Sequence, residues 1–537
     1  MSVKNNLDKI SDIRKNNLKI LHGKTNIKLN KSNLKKEYND FSDLLVKLWN
    51  KCQNKNTKTY CYNKLLNNYN EFNNYDQTED LLTTNKYDFY DVYKIDNHIH
   101  LSAIMTTKEL KEYMTKKQIE GPNITIYKMN TLIDSKNIKG KNKCTDKYNF
   151  NDFNNKYYIG SKGKRGPKDL RTCFLKLNSK KNKLRSINTS KKKFNIHNLG
   201  KFNCETPHYA NLAKLIANKR SKTIMDLRLS IYGSSRDELK ILSKWFFKNK
   251  LHKNKNLKIY IQVPRIPHFV TKFFTLENNN YFDKLIEWFD NIFEPLFSAF
   301  KDPELKLFMK YIIGFDSVDN EDEPNSNYYN IDTKIDDIKI RKQIKDKQNP
   351  FTYSMYIFLM WKYISKLNSI SKKSFKFKPH AGELGNIHHL LTAYLLTDSI
   401  CHGINLIDSN ASKYDNHDTV LKNNNNIVML YLFIKDQVGC ALSPISNNYL
   451  CRKYSCLHLD LLFKLGLRMS LCTDDPLMFH LTDDPIVEEF SMAKNYYNLS
   501  NGDLLELVNN SYLIGDSKLR INLKNRINLR NKLLQNL

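Results

Sequence analysis

The feature that most restricts this fold is a strand–helix alternation running through most of the chain, with a polar cluster where each strand stops. Strands are expected at Thr223–Ile231, Leu257–Val263, Leu307–Asp316, Phe375–Pro379, Ile400–Asn405, Ala441–Asn448 and Arg468–Pro476. Between them, helical spacing of apolar residues covers Tyr209–Lys219, Glu238–Lys248, Phe282–Phe300 (broken near Pro295), Phe351–Leu367 and Ile387–Leu396. An earlier extended run, Asp88–His100, adds a first strand, and Leu101 to about Met114 a first helix. This pattern predicts an α/β fold, a (β/α)8 TIM-type barrel with polar side chains at the strand ends. A doubly wound sheet is the alternative, but no glycine-rich nucleotide fingerprint follows the first strand.

Two stretches fall outside that alternation. Residues 1–36 are basic, Asn-rich and poor in apolar residues, and are expected as a mobile arm. Residues 37–87 carry Phe41, Leu44, Leu45, Leu48 and Trp49, then Tyr62, Leu65, Leu66 and Tyr69, and are expected as a helical lead-in packed on a barrel spanning 88–537. A Lys/Asn-rich insertion is expected at about 115–193. Such runs account for much of the formal charge of +32, from 87 Lys+Arg against 55 Asp+Glu. Without an Arg-and-aromatic face they argue against a nucleic-acid partner, although polyanion binding stays open. The ten cysteines form no C-x-x-C pair. With a polar N-terminus and no apolar run long enough to span a bilayer, the expectation is a soluble cytosolic protein with reduced thiols.

The motifs at the strand ends carry the chemistry. His98-Ile-His100 ends the first strand, where residues two apart point the same way and can grip one ion together. With 14 histidines in the chain, such a pair also arises by chance. His380-Ala-Gly-Glu383 sets an imidazole three residues before a carboxylate, with glycines that permit a tight turn. Asp474-Asp475-Pro476 closes the last strand. Taken alone it reads as a turn, as Asp483-Asp484-Pro485 does nine residues on. Neighbouring carboxylates repel one another unless a cation joins them.

Together with His402-Gly403, these motifs resemble the adenosine/AMP deaminase branch of the metal-dependent amidohydrolases. Longer runs are similar to the AMP deaminase family within it: Leu227–Glu238, Val263-Pro-Arg265, Gly314–Asp319, His402–Leu406, Leu442–Asn448, Asp474–Leu477 with Phe479-His480, and Glu488–Ser491. Thr57–Tyr62 and Asp88–Tyr90 extend the likeness into the lead-in.

The resemblance implies hydrolytic, zinc-dependent deamination of AMP to IMP and ammonia, in purine nucleotide metabolism. One Zn2+ per subunit would bind His98, His100, His380 and Asp474 and lower the pKa of water. His402 would take a proton from that water or hold the hydroxide in place and screen its charge, Glu383 would protonate purine N1, and Asp475 would hold the ring near N7. Substrate contacts are implied for His100, Lys193, Asn195, Glu383, Asp475, Pro476, Leu477 and Met478. Lys193-Phe194-Asn195 stands where the family holds the 5′-phosphate, but the residues that follow depart from the family, as does Met478 where a Gln is usual. The resemblance also suggests a homotetramer and purine-nucleotide effectors. A deaminase of adenosine or another purine, and a catalytically silent basic barrel, remain alternatives.

Overall fold

A computed structural model of the chain describes residues 2–24, 27, 29–74, 92–120, 127–128, 147–148, 208–233, 235–265, 281–318, 351–371, 373–408 and 415–514. Among them, eight parallel strands run in chain order: β1 (Lys94–His100), β2 (Thr223–Ser230), β3 (Leu257–Pro264), β4 (Ile312–Val318), β5, β6 (Ser399–His402), β7 (Gly439–Leu442) and β8 (Met469–Leu471). Strand β5 is written in two pieces, Lys376–Phe377 and His380–Ala381. Pro379 has no N–H to give to a ladder, yet the neighbouring bonds cross the gap: Lys378 N–H donates to Phe315 O at 2.9 Å, and Cys401 N–H to Pro379 O at 2.9 Å.

Each strand pairs with the next in parallel, from β1–β2 through β7–β8. The ring closes where Ile99 bridges Asp474, with His100 N–H donating to Asp474 O at 3.0 Å and Asp474 N–H to His98 O at 2.8 Å. The expected (β/α)8 barrel is therefore present. A register shift in β1 between Asp96 and Ile99 sits beside that seam, as bulges often do near a functional site. The strands are buried on both faces, and side chains from all eight join one apolar core.

Among the described residues three α-helices precede the barrel, and one corrects an expectation. Helix α1 (Val3–Leu21) lies within the stretch read as a mobile arm, yet it buries Leu7, Ile10, Leu18 and Leu21 against helices His388–Leu396 and Tyr353–Ile370. Each buried aliphatic chain contributes roughly 1.5–3 kcal/mol, enough to hold a helix that alone would be marginal. Bulk composition suggests an arm, whereas those four residues fall at helical spacing on one face. Helices α2 (Leu34–Gln53) and α3 (Lys55–Asn73) are divided at Asn54, whose side chain accepts from the N–H groups of Asn56 and Thr57.

Smaller corrections have local causes. Residues 307–309, expected in a strand, instead end the helix Pro303–Met309, because Asp302 caps that helix and Pro303 suits its first position. The helix from Tyr281 runs through Pro295 to Phe297, and the helix from Thr107 continues past Met114 to Glu120. No described helix is long and apolar enough to cross a membrane.

Candidate active site

The C-terminal ends of the strands deliver the histidines to one place. His98 and His100 leave β1 with their Nε2 atoms 3.1 Å apart. Asp474, just past β8, sets Oδ1 3.1 Å from His100 Nε2 and 3.7 Å from His98 Nε2. The His380 ring lies 4.5 Å from that of His98 and 5.5 Å from that of His100, centroid to centroid, and His402 closes the group 5.0 Å from His98. His402 and Asp474 hold φ of 68° and 59°, a left-handed backbone that side chains rarely adopt, and Gly382 beside His380 holds 69°. Strain of this kind gathers where the surrounding fold dictates side-chain direction.

Among the described residues, possible ligand atoms fall into three overlapping groups, each within 4.8 Å: His98, His100 and Asp474; His98, Asp316, His380 and Cys401; and Glu383, His402 and Asp474. His380 thus groups with Asp316 rather than with His100 and Asp474, although its ring stacks on His100. The first group could hold a metal ion, and its chemistry suits one. Burial, reinforced by His380, His100 and Arg228, keeps His98 well below its ordinary pKa and hence neutral, the form that ligates. Its Nδ1 is buried with no hydrogen-bond partner among the described residues. Burial alone would lower His100 too, but Asp474, Asp475 and Asp316 raise it to about 9. Burial would raise Asp474, but His100, His402 and Ser446 hold it below the usual carboxylate range. Imidazole nitrogens with one carboxylate form a donor set suited to zinc and similar divalent ions.

A second layer orients these groups. Asp316 Oδ1 lies 3.0 Å from His380 Nδ1, and Arg228 Nε donates to Asp316 Oδ2 at 3.3 Å. Arg228 also gives hydrogen bonds to Asn97 O and Asp226 O, so this fully buried cation is matched on several sides. Gln262 Oε1 sits 3.2 Å from His100 Nδ1 and accepts from Ser230 Oγ. Ser446 Oγ donates to Asp474 Oδ2 at 2.6 Å. Asn447 Nδ2 donates to Glu383 Oε1 and to His402 Nδ1, each at 3.1 Å. An amide NH2 can only donate, so Nδ1 of His402 accepts and its proton, when neutral, rides on Nε2. That Nε2 is 3.5 Å from Glu383 Oε2.

Of the expected substrate contacts, Glu383, Asp475 and Met478 are half-buried, as is His100, while Pro476 and Leu477 are buried. The Leu477 carbonyl accepts from Thr107 Oγ1 at 3.0 Å. Lys193 and Asn195 lie outside the described residues. Arg228, Asp316, Ser446 and Asn447 lie in runs that carry the family likeness and Gln262 lies in an expected strand, but no motif singles any of them out for the site. Their shared signal is position, in the C-terminal half of a strand or in the segment just past it.

Residues 5–528 match the family model described as AMP deaminase. The chain is 31% identical over 491 residues to AMP deaminase 3 of Mus musculus, covering 85% of this chain and 56% of the relative. It is 32% identical over 494 residues to AMP deaminase of Saccharomyces cerevisiae, covering 85% and 53%. The chain thus spans a little over half the length of these curated relatives. A solved adenine deaminase from Arthrobacter aurescens covers 83% of this chain and 99% of its own, with TM-score 0.42 and 11% identity, too distant to bear on the site.

Proposed function

The chain belongs to the AMP deaminase family, and from that premise we propose that it hydrolyses AMP to IMP and ammonia. The observation that carries this reading is the meeting of His98, His100, His380 and Asp474 with Glu383 and His402 at one mouth of the barrel. His98, His100, His380 and Asp474 would hold zinc. When bound, such an ion supplies Lewis acidity that brings the pKa of water towards neutrality.

The remaining work falls to side chains. His402, with Asn447 holding its Nδ1, would turn an Nε2–H towards the reaction and hold the attacking oxygen in place by donating to it, screening its charge. Glu383, steadied by the same amide, gives a proton to purine N1, so that C6 accepts the water oxygen. Asp475, next to Asp474, holds the ring near N7. The C6–N6 bond then breaks. Of the two protons from water, one ends on N1 by way of Glu383 and the other leaves in ammonia.

Ammonia release from AMP by the purified, zinc-loaded protein tests this reading, with adenosine as the comparison. No release from AMP would refute it. Lys193 and Asn195 remain proposed phosphate contacts, with Pro476, Leu477 and Met478 beside the base. A tetramer, purine-nucleotide effectors and a cytosolic setting belong to the same reading because the family resemblance implies them. Sedimentation in the presence and absence of ATP would test the assembly, and a monomer would refute it.

A further inference from the structure

Glu489 takes no part in the chemistry above, yet both oxygens of its fully buried carboxylate reach segments that do. It lies on the helix Pro485–Tyr497. Its Oε2 accepts from the backbone N–H of Ile445 at 3.2 Å. Its Oε1 lies 3.0 Å from Nε2 of His480, itself buried. Ile445 belongs to the first turn of the short helix Pro444–Leu450 after β7, where Ser446 holds Asp474 and Asn447 holds Glu383 and His402. His480 ends the segment after β8 that begins with Asp474 and Asp475. Glu488, the preceding residue, accepts from the N–H groups of Leu481 and Thr482 at 3.1 and 2.9 Å, extending the same hold.

We propose that Glu489 is a positioning residue that ties the turn after β7 to the segment after β8, fixing Glu383 and His402 relative to Asp474 and Asp475. A carboxylate that served only to seat its helix would need one partner in one neighbouring element. This one bridges two strand-end segments, one that hydrogen-bonds Glu383, His402 and Asp474 and one that carries Asp474 and Asp475, and burying it is costly unless both oxygens are satisfied. Misplacing groups in a site like this lowers the rate of the chemical step more than substrate capture.

The inference rests on the deaminase reading, and the experiment keeps the two apart. In the full zinc-loaded chain, Glu489→Ala should lower kcat for AMP by roughly 10–100-fold. KM should stay within about threefold and metal per chain unchanged, the pattern of a lost transition-state contact. Glu489→Gln, which keeps an acceptor for Ile445, should retain kcat within about fivefold of native. Combined with Asn447→Ala, Glu489→Ala should cost little beyond the worse single variant, because both act through one turn. A folded Glu489→Ala with near-native kcat, a loss confined to KM or metal content, or losses that multiply would each overturn the proposal. If Glu489→Ala shows no cooperative melt, His480→Ala decides: it should lower kcat severalfold at constant KM, and native kcat would overturn the proposal. A native chain inactive on AMP refutes the deaminase reading itself, whereas an active native chain with a fully active Glu489→Ala refutes only the tie.

Discussion

Asp316 meets Nδ1 of His380 at 3.0 Å, and that contact decides which nitrogen of the ring carries the proton. The carboxylate itself is held below its usual range: burial would raise it, but His380 and Arg228 outweigh burial. An ionised acceptor on Nδ1 leaves Nε2 with the lone pair a metal needs. Asp316→Ala should therefore weaken metal binding by roughly 10–100-fold. Titration against a competing chelator measures this, and unchanged affinity would remove Asp316 from the account.

Glu383→Gln keeps the volume and leaves an oxygen for Asn447 to bond, but it removes the proton source for N1. Turnover of AMP should fall by at least about 100-fold. Metal content and melting temperature should stay as in the native chain. Near-native activity would mean the acid is elsewhere.

The pair of buried Asp398 with half-buried His22 joins the turn after α1 to the start of β6, with Oδ1 and Nε2 2.8 Å apart. Burial pushes the Asp398 carboxyl up, but His22, Lys376 and the Phe377 N–H outweigh it and hold the carboxyl below its ordinary 3.8. A depressed pKa in the folded state adds stability that is complete above the unfolded value and is lost as pH falls through the folded one. Asp398→Asn should therefore melt below the native chain at pH 7. The gap should persist down to about pH 4 and close in more acid solution. A gap that widened as pH fell below 4 would reverse the sign.

Arg14, on the helix first read as mobile, donates to Thr397 O at 2.9 Å and Asp398 O at 3.3 Å, and also to Tyr394 O. Arg14→Ala leaves those carbonyls short of a charged donor, and should cost roughly 2–4 kcal/mol of stability. Urea unfolding reads this directly. Unchanged stability would return residues 3–21 to a loose arm.

What the sequence made legible was whatever repeats or bears distinctive chemistry. The alternation of β2 to β8 with helices could be read because buried parallel strands show as short apolar runs between amphipathic helices. His98, His100, His380, His402 and Asp474 could be found because few residue types ligate metals, and the structure brings them together at strand ends. Asp316, Gln262, Ser446 and Asn447 had no such mark. An amide or hydroxyl that orients a histidine is indistinguishable in sequence from one on the surface, and only the fold brings Asn447 to both Glu383 and His402. Helix α1 was hidden differently: its polar residues are so rich in Lys and Asn that composition masked four well-spaced apolar side chains.

The central claim is tested most directly by ammonia release from AMP and from adenosine, measured on one preparation whose metal content is known. The prediction is one zinc per chain, faster turnover of AMP than of adenosine, and loss of activity on chelation that added zinc restores. Equal or faster turnover of adenosine would contradict the choice of the nucleotide. No ammonia from either substrate, with zinc bound, would contradict deamination itself.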